Sequence, residues 1–314
     1  MAGASNTSRQ DAYILEVTPG TTPATPAFTK MSFETVPMTA NPRLSENFPS
    51  AALGQRSGIG RNGIAVAGSA SGKLIYGEYD DFFASLFQAN WSTDVLVNGN
   101  DQIAMTIEQA IPQGAGGSLL YNRFRGVEAV TGQIALTAGS DAQVSLDFIG
   151  SGSDDSATSI ISGATYADPT NTAVLGSGSD IGTILMSGFT PLDCMESMTI
   201  DFGVADKSEQ PRISSDDACG INRGVMRPVI TGRFYVEDNF VAIYNAARAG
   251  TSFALTVPIG SVTTEKYEIF FPVCQFVEAP LDSSDSGPAF QAFRILPEYD
   301  SGIGGTCRIT RAIV

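Results

Sequence analysis

Apolar and polar residues alternate along most of this chain. Between Asp101 and Ile111, Ile103, Met105 and Ile107 fall on one face, and between Gln143 and Phe148 so do Val144, Leu146 and Phe148. Met198, Ile200, Phe202 and Val204 alternate with Thr199, Asp201 and Gly203, and the pattern returns in Phe253, Leu255, Val257 and in Tyr267, Ile269, Phe271, Val273. A period of two sustained in this way predicts half-buried antiparallel strands. Many short strands between glycine-rich turns predict a sandwich or barrel. The expected fold class is mainly β, an antiparallel β-sandwich or barrel, with two short α-helices where the alternation breaks.

The first break runs from Tyr79 to Asn90, where Phe82, Phe83, Leu86 and Phe87 form a stripe at helical spacing. Asp80 and Asp81 stand at its start, where negative charge meets the positive pole of a helix dipole. The second helix is predicted from Asp238 to Arg248, with Phe240, Val241 and Tyr244 inward and Gly250 after its end. Each helix follows a glycine-bearing strand, Gly68 to Tyr76 and Val229 to Tyr235, which fits either a faint internal duplication or convergence.

Residues 1–61 read differently. Thr18-Pro19-Gly20 and Thr22-Pro23-Ala24-Thr25-Pro26 block helix and disfavour a central strand. The expected organisation is an extended N-terminal arm over 1–61 and a β domain over 62–314. Phe28, Met31, Phe33, Val36, Met38 and Phe48 punctuate the arm, so it is expected to lie on a surface, its own or a neighbour's. Inside the β domain, residues 150–180 are rich in Gly, Ser, Thr and Asp. A stretch this long is read as an inter-subunit loop, with Ile160, Ile161, Tyr166, Val174 and Leu175 as docking side chains, the alternative being a mobile surface excursion.

Charge narrows the functional classes. The chain has 314 residues and a formal net charge of -15, enough length for one large or two small domains. An acidic surface repels nucleic acid, and the basic stripe of a DNA binder is missing; DNA passing by without sticking remains compatible. Residues 1–61 set Arg9, Lys30, Arg43, Arg56 and Arg61 against Asp11, Glu16, Glu34 and Glu46, so the acidic excess lies in the remainder. A leader of this kind is either suited to an acidic neighbour or, as charge alone favours, a flexible terminus that happens to be poor in acids. There is no histidine. Cys194, Cys219, Cys274 and Cys307 lack the close pairs of a zinc site and are expected to be buried thiols in a reducing cytoplasm. No apolar run approaches membrane-spanning length, and the N-terminal MAGASNTSRQ has no secretory core.

The chemical motifs fail one by one. Gly58-Ile59-Gly60-Arg61-Asn62-Gly63 matches a dinucleotide fingerprint in letters, but a strand-like segment follows it where a helix is required. Gly68-Ser69-Ala70-Ser71-Gly72-Lys73-Leu74 is one residue short of a phosphate loop and has Leu74 where the magnesium-binding hydroxyl belongs. Without histidine, Ser-His and Cys-His nucleophiles are excluded. Glu78, Asp80, Asp81, Glu108 and Asp147 are candidate carboxylates for glycoside hydrolysis, but 33 acidic residues supply pairs by number alone. Asp154-Asp155 and Asp282-Ser283-Ser284-Asp285 lack calcium-loop spacing. No enzyme activity, metal or cofactor is expected. The polar faces of three strands carry Thr106 and Glu108, Ser145 and Asp147, Thr199 and Asp201, with no Lys or Arg. They make either a solvated sheet face or, around a channel, a polar and negative wall.

Tyr76-Gly77-Glu78-Tyr79-Asp80-Asp81, with Trp91 after the helix, resembles a signature of the tail tube proteins of long-tailed, siphovirus-like bacteriophages. The Gly20 to Phe28 leader, Met105-Thr106-Ile107-Glu108, Tyr121 to Gly126, Val229 to Tyr244 and Phe270-Phe271-Pro272-Val273 are similar to family segments in the same order. The resemblance implies a virion structural protein that assembles in the host cytoplasm. Its sandwich subunits would form six-fold rings whose inner strands join into a continuous barrel. Rings would stack through arms and long loops, here Phe28, Met31, Phe33, Val36, Met38, Phe48, Ile160, Ile161 and Tyr166. The implied partners are further copies, the tape measure protein, tail terminator and distal tail proteins, and passing double-stranded DNA without specific binding, with no membrane. Thr106, Glu108, Ser145, Asp147, Thr199 and Asp201 are the lumen candidates. The alternative is a surface adhesin or glycan-binding sandwich, which requires exposed aromatics over a groove.

Overall fold

The computed structural model describes residues 9–50, 53–114, 117–176, 178, 180–190, 194–236, 240–262, 264–282 and 288–312. The chain opens with β1 (Gln10–Leu15) and β2 (Ala27–Lys30), then β3 (Met38–Asn47) and β4 (Gly58–Lys73). Helix α1 (Asp80–Phe87) follows, then β5 (Val95–Val97), β6 (Met105–Pro112), β7 (Leu119–Thr137) and β8 (Gln143–Gly150). Short strands β9 (Gly152–Ser153), β10 (Thr165–Ala167) and β11 (Leu185–Met186) lead to β12 (Met195–Asp201). Two small ribbons pair β13 (Val204–Ala205) with β16 (Val225–Met226) and β14 (Ser208–Glu209) with β15 (Ile221–Asn222). The chain continues through β17 (Val229–Tyr235), α2 (Phe240–Ala249), β18 (Ser252–Ile259), β19 (Tyr267–Glu278), β20 (Leu281–Asp282), β21 (Phe290–Glu298) and β22 (Arg308–Arg311).

The first layer is antiparallel in the order β3–β4–β8–β7–β12–β17–β21. The second runs β11–β18–β19–β22–β5. Strand β19 belongs to both, because its second half pairs with β21. The result is a sandwich, with no closed barrel among the described residues. Period two explains the core: Val144, Leu146, Phe148, Met198 and Ile200 face inward from one layer, and Phe253, Leu255, Val257, Ile269 and Phe271 from the other. Phe202 stacks on Phe271 across the gap at 6.4 Å between ring centroids. Each such side chain contributes about 1.5–3 kcal/mol by leaving water.

Helix α1 plugs the sandwich. Phe82 to Phe87 are all buried, not only the predicted stripe. The buried Ser85 hydroxyl donates to the Ile103 carbonyl at 2.8 Å and accepts from the Ala129 amide at 3.1 Å, so it costs little. Gly132 on β7 lets the helix approach: a Cβ there would stand 2.3 Å from a Leu86 methyl. The helix stops at Gln88, which turns left-handed (φ 53°), short of the predicted Asn90. Helix α2 also departs from expectation. Ile243 and Ala246 are its buried residues, whereas Val241 is 63% exposed and Tyr244 42%. Apolar side chains lie on more than one side of this helix, so the stripe alone did not fix the inward face. Asp238 lies outside the described residues.

Residues 9–47 do not form an arm detached from the body. β1 lies antiparallel along all of Met105–Ala110 in β6 and also pairs with β2. β2 in turn pairs in parallel with β10 of the predicted inter-subunit loop. That loop also bridges Tyr121 through Ala157 and Ile75 through Val174, so it packs on its own chain. What projects is the outer half of the β3–β4 hairpin, where Leu44, Phe48, Leu53 and Ile59 are exposed. The first rejected glycine motif makes up the start of β4, Gly58 to Gly63, and the second runs from Gly68 to the strand's end at Lys73 and one residue beyond.

Candidate functional site

The signature block is a joint. Tyr76 packs on Tyr267 with ring centroids 5.0 Å apart, and the Gly77 amide donates to the Tyr267 hydroxyl at 2.8 Å. The Glu78 carboxylate accepts from the Ser32 amide (2.9 Å) in the N-terminal segment and the Thr170 amide (3.1 Å) in the long loop. Burial pushes its pKa up, against those two hydrogen bonds. Tyr79 donates to the Lys73 carbonyl at 2.5 Å. Asp80 accepts from Tyr267 (2.6 Å) and ion-pairs with Arg311. Asp81 accepts from Tyr13 at 3.1 Å, and burial raises its pKa also. Trp91 returns its indole N–H to the Asp80 carbonyl at 2.9 Å. Six consecutive residues thus tie β1, β4, the long loop, β19 and β22 together. Glu78, Asp80 and Asp81 are engaged in structural hydrogen bonds and an ion pair.

The outer face of β4–β8–β7–β12 carries two polar rows. Ser71, Ser145, Gln133 and Asp201 stand in register across the four strands, as do Ser69, Asp147 and Thr131 in the neighbouring row. Thr131 donates to Asp147 at 2.6 Å. Asp147 and Gln133 are exposed, and Ser145, Thr199 and Asp201 are half-buried. The cations at its margins are committed: Lys73 pairs with Asp141 at 2.7 Å, and Arg233 with Glu196.

Thr106 and Glu108 are not on this face, contrary to expectation. β6 is covered on both sides, and both residues are buried. Thr106 donates to Glu16 at 2.7 Å, while Glu108 holds Arg123 at 2.6 Å and accepts from Tyr166 at 2.5 Å. Strand β1 and the long loop supply that cover, and local alternation carries no information about them.

The inter-ring candidates divide in the same way. Phe28, Val36 and Met38 are buried, Phe28 stacking on Tyr166 at 5.5 Å. Met31 and Phe33 pack against the core, and Ile161 and Tyr166 are half-buried. Phe48 and Ile160 are exposed. Of the cysteines, Cys274 and Cys307 are buried, as expected, and burial pushes the Cys274 thiol up to about 12. Cys194 and Cys219 are exposed. Ser283 and Asp285 lie outside the described residues, and Asp154 pairs with Arg125 at 2.7 Å.

One cluster escaped the sequence reading. Lys207 and Glu128 pair at 3.0 Å with neither side chain exposed, and Arg223 joins Glu128 at 2.7 Å. Lys207 also donates to the Ala129 carbonyl, and Gln102 to Glu128. Burial lowers the Lys207 pKa, opposed by Glu128. The network pins the segment between β12 and β17 onto β7. Its members are scattered along the chain and carry no spacing signal.

No helix among the described residues is long and apolar enough to cross a membrane. A search of curated proteins finds no match. A family profile described as phage tail tube protein matches residues 10–293, which include the signature block, the polar face and the hairpin. The chain therefore belongs to the phage tail tube protein family and is a structural component of a virion tail.

Proposed function

We propose that this chain is the major tail tube subunit of a siphovirus-like phage. Copies close side by side into hexameric rings, the rings stack, and the face of β4–β8–β7–β12 lines the bore. The observation that carries this reading is the Ser71–Ser145–Gln133–Asp201 row, a polar row with no free cation on it among the described residues. Multiplied around a ring, Asp147 and Asp201 give a negative wall. DNA phosphates meet repulsion there instead of capture, softened at physiological salt by counterions. Ser145 and Thr199 fill the wall between them.

The free edge of β3 supports lateral closure. Among the described residues β3 pairs with β4 alone, and an unpaired edge is a template for another chain. The hairpin tip supports stacking, since Leu44, Phe48, Leu53 and Ile59 are apolar side chains exposed on a projection. Ile160 offers a second apolar contact from the long loop. The bore holds the tape measure protein before it conducts DNA, and tail terminator and distal tail proteins cap the two ends. No bond chemistry is required.

Electron microscopy of the purified protein, alone and with the tape measure protein, tests the proposal. Rings and tubes are the expected particles. Protein that stays monomeric under every assembly condition overturns it.

A further inference from the structure

The chain holds two Asn-Gly pairs, Asn62-Gly63 and Asn98-Gly99. Such a pair can close on itself. The glycine amide nitrogen reaches the asparagine Cγ because glycine has no side chain to crowd the approach. The fold treats the two pairs in opposite ways.

Asn98 is locked. Its Oδ1 accepts from the Thr306 amide (2.7 Å) and the Cys307 amide (3.0 Å), which holds Cγ in place. The Gly99 amide is itself committed to the Phe87 carbonyl at 2.8 Å. Asn62 is exposed, and its side chain makes no hydrogen bond among the described residues. It sits in a β-bulge: Pro42 pairs with Ile64 and Leu44 with Arg61, so Asn62 and Gly63 both stand opposite Arg43. The ladder is broken there. Pro42 has no N–H to give, the Ile64 amide turns to the Asp216 carbonyl at 2.9 Å, and Gly63 has a φ of 100°. The bulge is also the root of the projecting half of the hairpin. On its body side Met38 and Val66 are buried, and on its tip side Leu44 and Ile59 are exposed.

We propose that Asn62 is a site of spontaneous deamidation and backbone isomerisation, which alters the hairpin at its root. The Gly63 amide nitrogen gives its proton to solvent base and attacks Asn62 Cγ. The N–Cγ bond forms, the Cγ–Nδ2 bond breaks, and Nδ2 leaves as ammonia with a proton taken back from solvent. Water then opens the succinimide. Cleavage of the new N–Cγ bond yields aspartate. Cleavage between the same nitrogen and the Asn62 carbonyl carbon yields isoaspartate, which puts one extra methylene into the backbone of β4. Both products add a negative charge beside Arg61. Only isoaspartate lengthens β4 against β3, and it does so where the tip carrying Leu44, Phe48 and Ile59 departs from the body. An aged subunit then stacks poorly, a consequence that rests on the tube reading; the modification does not.

The test incubates the full chain at mildly alkaline pH and samples it over time by peptide mass mapping, with isoaspartyl methyltransferase as the label. Residue 62 should convert at least tenfold faster than residue 98, and the two should convert alike in the urea-unfolded chain. Asn62→Gln, which would have to close a larger ring, should take no label there. Conversion of the folded chain at residue 62 no faster than at residue 98, or none after the unfolded chain has reacted fully, overturns the inference. Tubes from aged wild type should be at least twofold shorter than tubes from fresh protein, while aged Asn62→Gln keeps its length; aged wild-type tubes of full length overturn the effect on stacking. Fresh protein that forms no tube yet labels at residue 62 overturns the tube reading and upholds the modification site.

Discussion

The Arg311 guanidinium lies over the Trp91 ring, 4.5 Å from its centroid, while the same arginine pairs with Asp80 and Asp94. The tryptophan after α1 and strand β22 are thereby joined through Asp80 of the signature. Replacing Trp91 by Ala removes the cation–π contact, the hydrogen bond to the Asp80 carbonyl and part of the packing under α1. Urea unfolding of the monomer should show a loss of about 2 kcal/mol, with Trp91→Phe losing about half as much.

Lys207→Met should cost about 3 kcal/mol in the same measurement. Glu128 is fully buried and would be left to Arg223 and Gln102 alone, and breaking one arm of a buried ion cluster leaves uncompensated charge. Limited proteolysis should then cut first between β12 and β17, the segment that Lys207 pins.

Glu78 gives the protein a pH dependence of definite sign. Its folded pKa is raised above the ordinary 4.5 by burial, so between 4.5 and the folded value the folded chain holds more of this proton than the unfolded chain does. The stability from this group is fully present below 4.5 and is lost as pH rises through the folded value. Melting temperatures of wild type and Glu78→Gln, followed from pH 7 down to pH 4.5, should therefore shift relative to one another, with the wild type gaining on the variant as pH falls. A wild type that loses ground instead contradicts the assignment.

Asp147→Lys with Asp201→Lys should cost the monomer about 1–2 kcal/mol, because Asp147 is exposed but accepts from Thr131, and the half-buried Asp201 accepts from the Gly203 amide. In assembled tubes the same pair should convert a repelling wall into a binding one. Filter binding of short duplexes, negligible for wild type, should become measurable at low salt and weaken steeply as salt rises.

Much of this was legible in the chain. Val229–Tyr235 is a strand with the predicted limits, and Phe82, Phe83, Leu86 and Phe87 are buried as their spacing implied. Period two reports which side chains share a face, but not what comes to lie on the polar one. Thr106 alternates just as Thr199 does, yet Thr106 is sealed by Glu16, 90 residues earlier in the chain, while Thr199 stays half-open. The prolines of residues 18–26 disfavour helix and central strand, which in the sequence predicts an arm. They form the crossing between β1 and β2, which then add to the sheet edge through backbone pairing that sequence composition does not encode. Cys194 and Cys219 are exposed although cysteine as a residue type favours the interior; the loops that carry them have no local pattern.

A helical reconstruction of the assembled tube at side-chain resolution tests the central claim most directly. The account predicts closed rings whose bore is walled by β4, β8, β7 and β12, with Asp147 and Asp201 pointing to the axis. A bore lined by the α2 side of the molecule, or one faced mainly by arginine and lysine, would contradict it.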